Sequence, residues 1–140
     1  MKGKRIISLI MCVILLTCVM ATSAFAGTSK PPKANPHNVS KSQYNFEGRA
    51  AWNTLYTNKQ LTGKTSYTIY CKNRGAIMPV NVPTLTVRVY KYNSVLPDKI
   101  LATKTIKKNN SGTITVKGLS KTDQIYVVFY APCDFKGYIQ

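Results

Sequence analysis

Glu47, Asp98, Asp123 and Asp134 are the only carboxylate side chains in this 140-residue chain, and His37 is its only imidazole. Hydrolysis by paired carboxylates needs two acids held close together. Asp98, Asp123 and Asp134 instead fall beside turn-forming stretches, where an acid ordinarily caps or closes the turn. A nucleophile–base pair needs a positioned imidazole. His37 stands in the proline-rich stretch GTSKPPKANPHNVSKS, residues 27–42, where solvent should surround it. The histidine and the scattered cysteines do not make a zinc ligand set, and no Gly-rich phosphate loop is present. The residues therefore predict a non-catalytic protein with no metal and no cofactor.

What remains is surface chemistry. Lys72, Arg88 and Lys117 are interleaved with Tyr70, Tyr90, Tyr126 and Tyr130 along segments that alternate like strands. Cations beside aromatic rings suit the capture of anionic groups with stacking on a sugar or base. The same residues would also make a solvated sheet face protected from edge pairing. These seven are the candidate binding residues.

Position in the cell follows from the first 26 residues. Lys2, Lys4 and Arg5 precede a nearly unbroken apolar run from Ile6 to Met20, and A-T-S-A-F-A ends at Ala26. This is the layout of a secretory signal peptide cut between Ala26 and Gly27. A retained anchor is the alternative, since residues 6–26 are just long enough to cross a bilayer. With the leader gone, 17 basic residues face four acids, a net charge of +13. Outside a cell such a surface favours an anionic polymer or a membrane surface. No module for specific nucleic-acid reading is present, and the oligomeric state is left open. The leader and the Lys- and Asn-rich composition fit a secreted or wall-associated protein of a Gram-positive bacterium.

Cleavage would also remove Cys12 and Cys18, leaving Cys71 and Cys133. In an exported domain the expected state of such a pair is one disulfide; two free thiols are the alternative. Lipidation at Cys18 is disfavoured, because Thr17 stands where such leaders carry a smaller residue.

The elements that must position these groups are strands. Residues 66–72, 84–92, 113–117 and 124–131 alternate in polarity and are rich in Val, Ile, Thr and Tyr. Residues 99–107 form a weaker strand, and 135–139 could add a short last one. Residues 43–61 read as an irregular start followed by strand. Turn signals fall at 73–75, 93–98, 109–112 and 120–123. The fold expected is all-β: a small immunoglobulin/fibronectin-like β-sandwich of about seven strands spanning 43–140. It follows the signal peptide (1–26) and a flexible basic tail (27–42), whose prolines and lysines offer little to bury.

Period-2 alternation assigns the faces. Tyr67, Ile69 and Cys71 should point inward, with Leu85, Val87, Val89, Ile114 and Val116. Ile125, Val127, Phe129 and Cys133 share a parity, which leaves Tyr126, Val128 and Tyr130 outside. The stretch from Gly118 through Leu119 to Tyr126 resembles the approach to the late tyrosine-bearing strand of fibronectin type III and related sandwiches. That resemblance implies the opposite orientation, with Tyr126 inward. Together these readings predict a secreted cationic protein that binds anionic cell-envelope or extracellular polymers. A secreted antimicrobial protein or toxin, acting on a competitor's membrane or wall, and a self-associating matrix protein are the rivals.

Overall fold

The computed structural model describes residues 24–25, 28–33, 35–77 and 80–140. The predicted cleavage pair Ala26 and Gly27, the basic and apolar parts of the predicted leader, Cys12 and Cys18 lie outside the described residues.

Every regular element among the described residues is a strand. In chain order they are β1 (Ala24–Phe25), β2 (His37–Asn38), β3 (Tyr44–Ala50), β4 (Leu55–Tyr56), β5 (Leu61–Thr62), β6 (Tyr67–Asn73) and β7 (Ala76–Ile77). Then follow β8 (Val80–Asn81), β9 (Thr84–Lys91), β10 (Lys99–Lys107), β11 (Ser111–Val116), β12 (Ile125–Phe129) and β13 (Cys133–Ile139). One sheet has the order β1-β3-β13-β6-β11, in which β1 adds only a two-residue parallel edge. The other runs β10-β9-β12-β5-β2, with β4 also pairing β12, and β7–β8 is a separate small hairpin.

The two sheets enclose one core, and strand alternation sets who enters it. Tyr67, Ile69 and Cys71 of β6 and Leu85, Val87 and Val89 of β9 are fully buried. Ile114 and Val116 of β11 and Ile125, Val127 and Phe129 of β12 meet them. Phe46 and Phe135 from the first sheet close on Phe129 from the second, with the Phe129 and Phe135 rings stacked at 3.7 Å. Gly137 makes that approach possible: a Cβ there would press on the Tyr70 carbonyl oxygen and on the Phe46 ring. Along the outer edge, Lys104 of β10 reaches across to β11 and donates to the Thr113 carbonyl at 3.0 Å. Its charge also guards an edge strand against pairing with another chain.

Four expectations need correction. First, the stretch read as a flexible tail is partly built into the fold. β2 pairs in parallel with β5, Val39 is buried in the core, and Gln60 donates to the Pro32 carbonyl at 3.0 Å. His37 is half-buried, its ring edge-on to Tyr44 at 5.4 Å. Val39 and a free β5 edge supply the burial and hydrogen bonds that the tail's composition does not advertise.

Second, Cys71 and Cys133 are free, buried thiols rather than a disulfide. Both point inward from neighbouring strands, but Cys71 stands opposite Gly137, four residues along β13 from Cys133. At the usual strand rise that offset is ~13 Å, while a bridge needs Cα atoms within about 7 Å.

Third, Tyr126 and Val128 are buried, although their parity points them to the outer side. Tyr56 and Tyr90 flank the Tyr126 ring, and Asp98 accepts its hydroxyl, so β12 is covered on both faces. The inward placement implied by the fibronectin resemblance is also not what buries Tyr126; its cover is on the outer face.

Fourth, Asp134 is not a turn residue. It lies on β13, 1% exposed, between Arg49 and Arg74, with Oδ1 accepting from Arg74 Nε at 2.7 Å and Oδ2 from Arg49 Nη2 at 3.3 Å. Arg74 also reaches Glu47 at 3.3 Å. Asp98 and Asp123 do close turns, accepting from the Asn93 and Ser120 amides at 2.7 and 2.9 Å. Replacing Asp134 by alanine should cost about 1–3 kcal/mol, toward the low end because both freed guanidinium groups can hydrate. Urea unfolding of that variant against the parent is the measurement, and an unchanged midpoint would refute the assignment.

Candidate functional site

The seven sequence-predicted binding residues do not form one patch. They divide between the outer faces of the two sheets, because β6 and β11 belong to one sheet and β9 and β12 to the other.

On the second sheet, Arg88, Tyr90, Tyr126 and Tyr130 come together. The Arg88 guanidinium lies over the Tyr130 ring, 4.9 Å from its centroid, and Nη1 donates to the Tyr130 hydroxyl at 3.2 Å. The Tyr90 and Tyr130 hydroxyls share a hydrogen bond of 3.0 Å. Tyr90 stacks flat on Tyr126, at 5.3 Å and 6°, and Tyr126 donates to Asp98 Oδ2 at 2.7 Å. The hydrogen bond from Tyr130, helped by the neighbouring Arg88 charge, holds the Tyr90 phenol below its ordinary value. Burial, and then the Asp98 hydrogen bond, push the Tyr126 phenol well above it. Arg88 Nε is buried with no hydrogen-bond partner. This cluster spends most of its polar groups on itself.

The first sheet is different. Lys72 of β6 and Lys136 of β13 stand directly opposite each other, and the next pair along the same face is Tyr70 and Tyr138. Their rings stack at 5.2 Å, and the Tyr70 hydroxyl donates to Ser111 Oγ at 2.7 Å. Lys136 has Glu47 of β3 directly opposite on its other side, but Arg74 engages that carboxylate at 3.3 Å, and among the described residues no carboxylate lies within 4 Å of either lysine. Like charges directly opposite each other in a sheet repel. An anion placed between them would relieve that repulsion. A groove of about 450 Å³ runs over these residues, lined by Asn45, Glu47, Tyr70, Lys72, Lys136 and Tyr138.

Lys117 joins neither cluster. It follows β11, four residues beyond Thr113, which is the partner of Tyr70, so it sits ~13 Å along the strand direction. Sequence reasoning missed Lys136 and Tyr138. Their alternation with Phe135 and Ile139 puts them on the outer face, but the alternation does not say which strand lies next to β13. A larger polar depression, about 830 Å³, lies at the end of the sandwich beside Lys64 and Lys121.

No protein-family model matches this chain, and neither a curated protein nor a solved structure matches it.

Proposed function

We propose that this is a secreted, non-catalytic protein that binds anionic cell-envelope or extracellular polymers through the outer face of its first sheet. The observation that carries the reading is the cross-strand Lys72/Lys136 pair beside the stacked Tyr70/Tyr138 rings, in an open groove. Two strand-borne cations next to a half-buried, stacked aromatic step match a repeating polymer of anionic groups and sugars. The groups need little ordering on binding, because strands hold the backbone and the rings brace each other. Export rests on the leader-like first 26 residues, and the excess of 20 basic over four acidic residues supplies long-range attraction.

The finer architecture belongs to the same proposal. Pairing of β6 with β11 and of β9 with both β12 and β10 follows the arrangement of the central strands in immunoglobulin- and fibronectin-like sandwiches. The last strand departs from that arrangement. β13 lies between β3 and β6, rather than beside β12, and this departure is what brings Lys136 next to Lys72.

Binding to a teichoic acid or heparin should weaken steeply with salt, because each neutralised anion releases counterions or loses screening competition. Replacing Lys72 and Lys136 together by glutamate should lower affinity at least ~10-fold and flatten the salt dependence by about two contacts. The pair Lys30→Glu and Lys33→Glu, on exposed chain before β2, should cost much less, because neither lysine stands opposite a second cation beside stacked rings. Tyr138→Ala should weaken sugar-containing polymers more than inorganic polyphosphate. Titration at two salt concentrations decides it. Equal losses for the sheet and tail variants would leave only diffuse charge and no site.

A further inference from the structure

The β9–β10 connection holds the largest group of exposed large apolar side chains among the described residues; Trp52, 83% exposed, stands apart from it in sequence. Val95 is 88% and Leu96 66% exposed, side by side at the tip, and Ile100 is 49% exposed at the start of β10. Single exposed apolar residues are ordinary; adjacent ones on a braced tip are not. Asn93 Oδ1 accepts from the Val95 and Leu96 amides at 3.0 and 3.1 Å, and Asp98 Oδ1 accepts from the Asn93 amide at 2.7 Å. The other Asp98 oxygen receives the Tyr126 hydroxyl, which ties the loop to the sheet. The tip is therefore presented by its own hydrogen bonds, with its apolar side chains pointing away from any core.

Its surroundings are cationic. β9 ends and β10 begins here, and by register β11 ends and β12 begins at the same end of the sandwich. Lys64, Lys99, Lys117 and Lys121 all belong to the loops and strand ends there. The two acids at this end are already engaged: Asp98 within the loop, and Asp123 by Lys91 at 2.8 Å. Lys91 hydrogen-bonds the Asp123 carboxylate, and with the Ser120 amide holds it below its ordinary value. Ile100 stands opposite Tyr90, so the apolar band continues from the tip onto an aromatic ring. Apolar tip, aromatic shoulder and surrounding lysines are the sequence of chemistries met on crossing from acyl chains through headgroups into water.

We infer that residues 92–98 form a membrane-docking loop that seats Val95 and Leu96 in the interface of an anionic phospholipid bilayer, with the lysines of the same end on the headgroups. This uses a different end of the molecule and a different ligand from the polymer groove. An apolar tip alone would accept any bilayer; the lysines at the same end of the sandwich select anionic ones, each cation near the surface adding to the attraction.

The test uses the secreted form that the proposed function implies, residues 27–140, and vesicles of phosphatidylglycerol with phosphatidylcholine, against vesicles of phosphatidylcholine alone. In a Trp52→Phe background, Leu96→Trp should shift its emission to the blue and be quenched by bilayer-depth quenchers with the anionic vesicles, and not with the neutral ones. Val95→Asp with Leu96→Asp should lower sedimentation with anionic vesicles at least ~10-fold while leaving heparin binding unchanged. Lys72→Glu with Lys136→Glu should do the reverse, so failure of either site is read separately. Unchanged melting of each variant establishes that folding is intact. The inference is overturned if the tryptophan at position 96 stays solvent-like on anionic vesicles. It is equally overturned if the aspartate variant still sediments, or if the emission shift follows protein concentration without lipid, which would make the tip a contact between copies.

Discussion

Replacing Phe129 by alanine should destabilise the fold by about 3–5 kcal/mol, the cost of emptying a large, fully buried aromatic site. Phe129 is the second sheet's contribution to a three-ring cluster with Phe46 and Phe135 of the first. Its loss opens a void between the sheets rather than at an edge, where side chains cannot close in. Gly137→Ala should be similarly severe for the opposite reason. The added methyl meets the Tyr70 backbone oxygen and the Phe46 ring, and the backbone of a central strand has nowhere to move. For a domain whose whole stability is on the order of 5–15 kcal/mol, either change consumes a large part. Denaturant melts measure both. A loss below ~1 kcal/mol at both positions would mean that the sheets are not clamped through this cluster.

Stability should also fall between pH 9 and 10, before most lysines lose their charge. Burial, and then the proximity of Cys133, push the Cys71 thiol from 9.0 up to about 12. Burial raises Cys133 to about 11, although a hydrogen bond at Ala50 partly opposes it. A thiol with a raised native value stays protonated while the unfolded chain ionises. Its contribution is therefore complete below the unfolded value and is lost as pH rises above it. Each thiol should cost about 1 kcal/mol across that window, approaching about 1.4 kcal/mol per pH unit above it. Burial of Tyr44, raised to about 12, adds the same sign from pH 10 upward. The same burial predicts that neither thiol reacts with an alkylating reagent at pH 8 until the protein is unfolded, when intact mass should show both modified. The double variant Cys71→Ala with Cys133→Ala should lose most of the slope. Equal wild-type stability at pH 8 and 10, or prompt native alkylation, would contradict two protonated buried thiols.

The alternation in 66–72, 84–92, 113–117 and 124–131 by itself determined the strand class and most inward residues, because side-chain direction in a strand has a period of two. It placed Leu85, Val87, Val89, Ile69 and Cys71 correctly in the core. That period is local, however, and says nothing about which strands become neighbours or at what register. Two cysteines left in a chain expected to be exported read as a bridge, while a four-residue offset between β6 and β13 keeps them apart. Tyr126 read as exposed, since alternation reports direction and not what later covers that side. The cations and tyrosines were legible as binding chemistry, yet Lys72 and Arg88 separated onto different sheets. Lys136 became the partner of Lys72 only because β13 inserts beside β6. Composition determined the charge, and strand order, a product of long-range pairing, decided where two of those charges face each other.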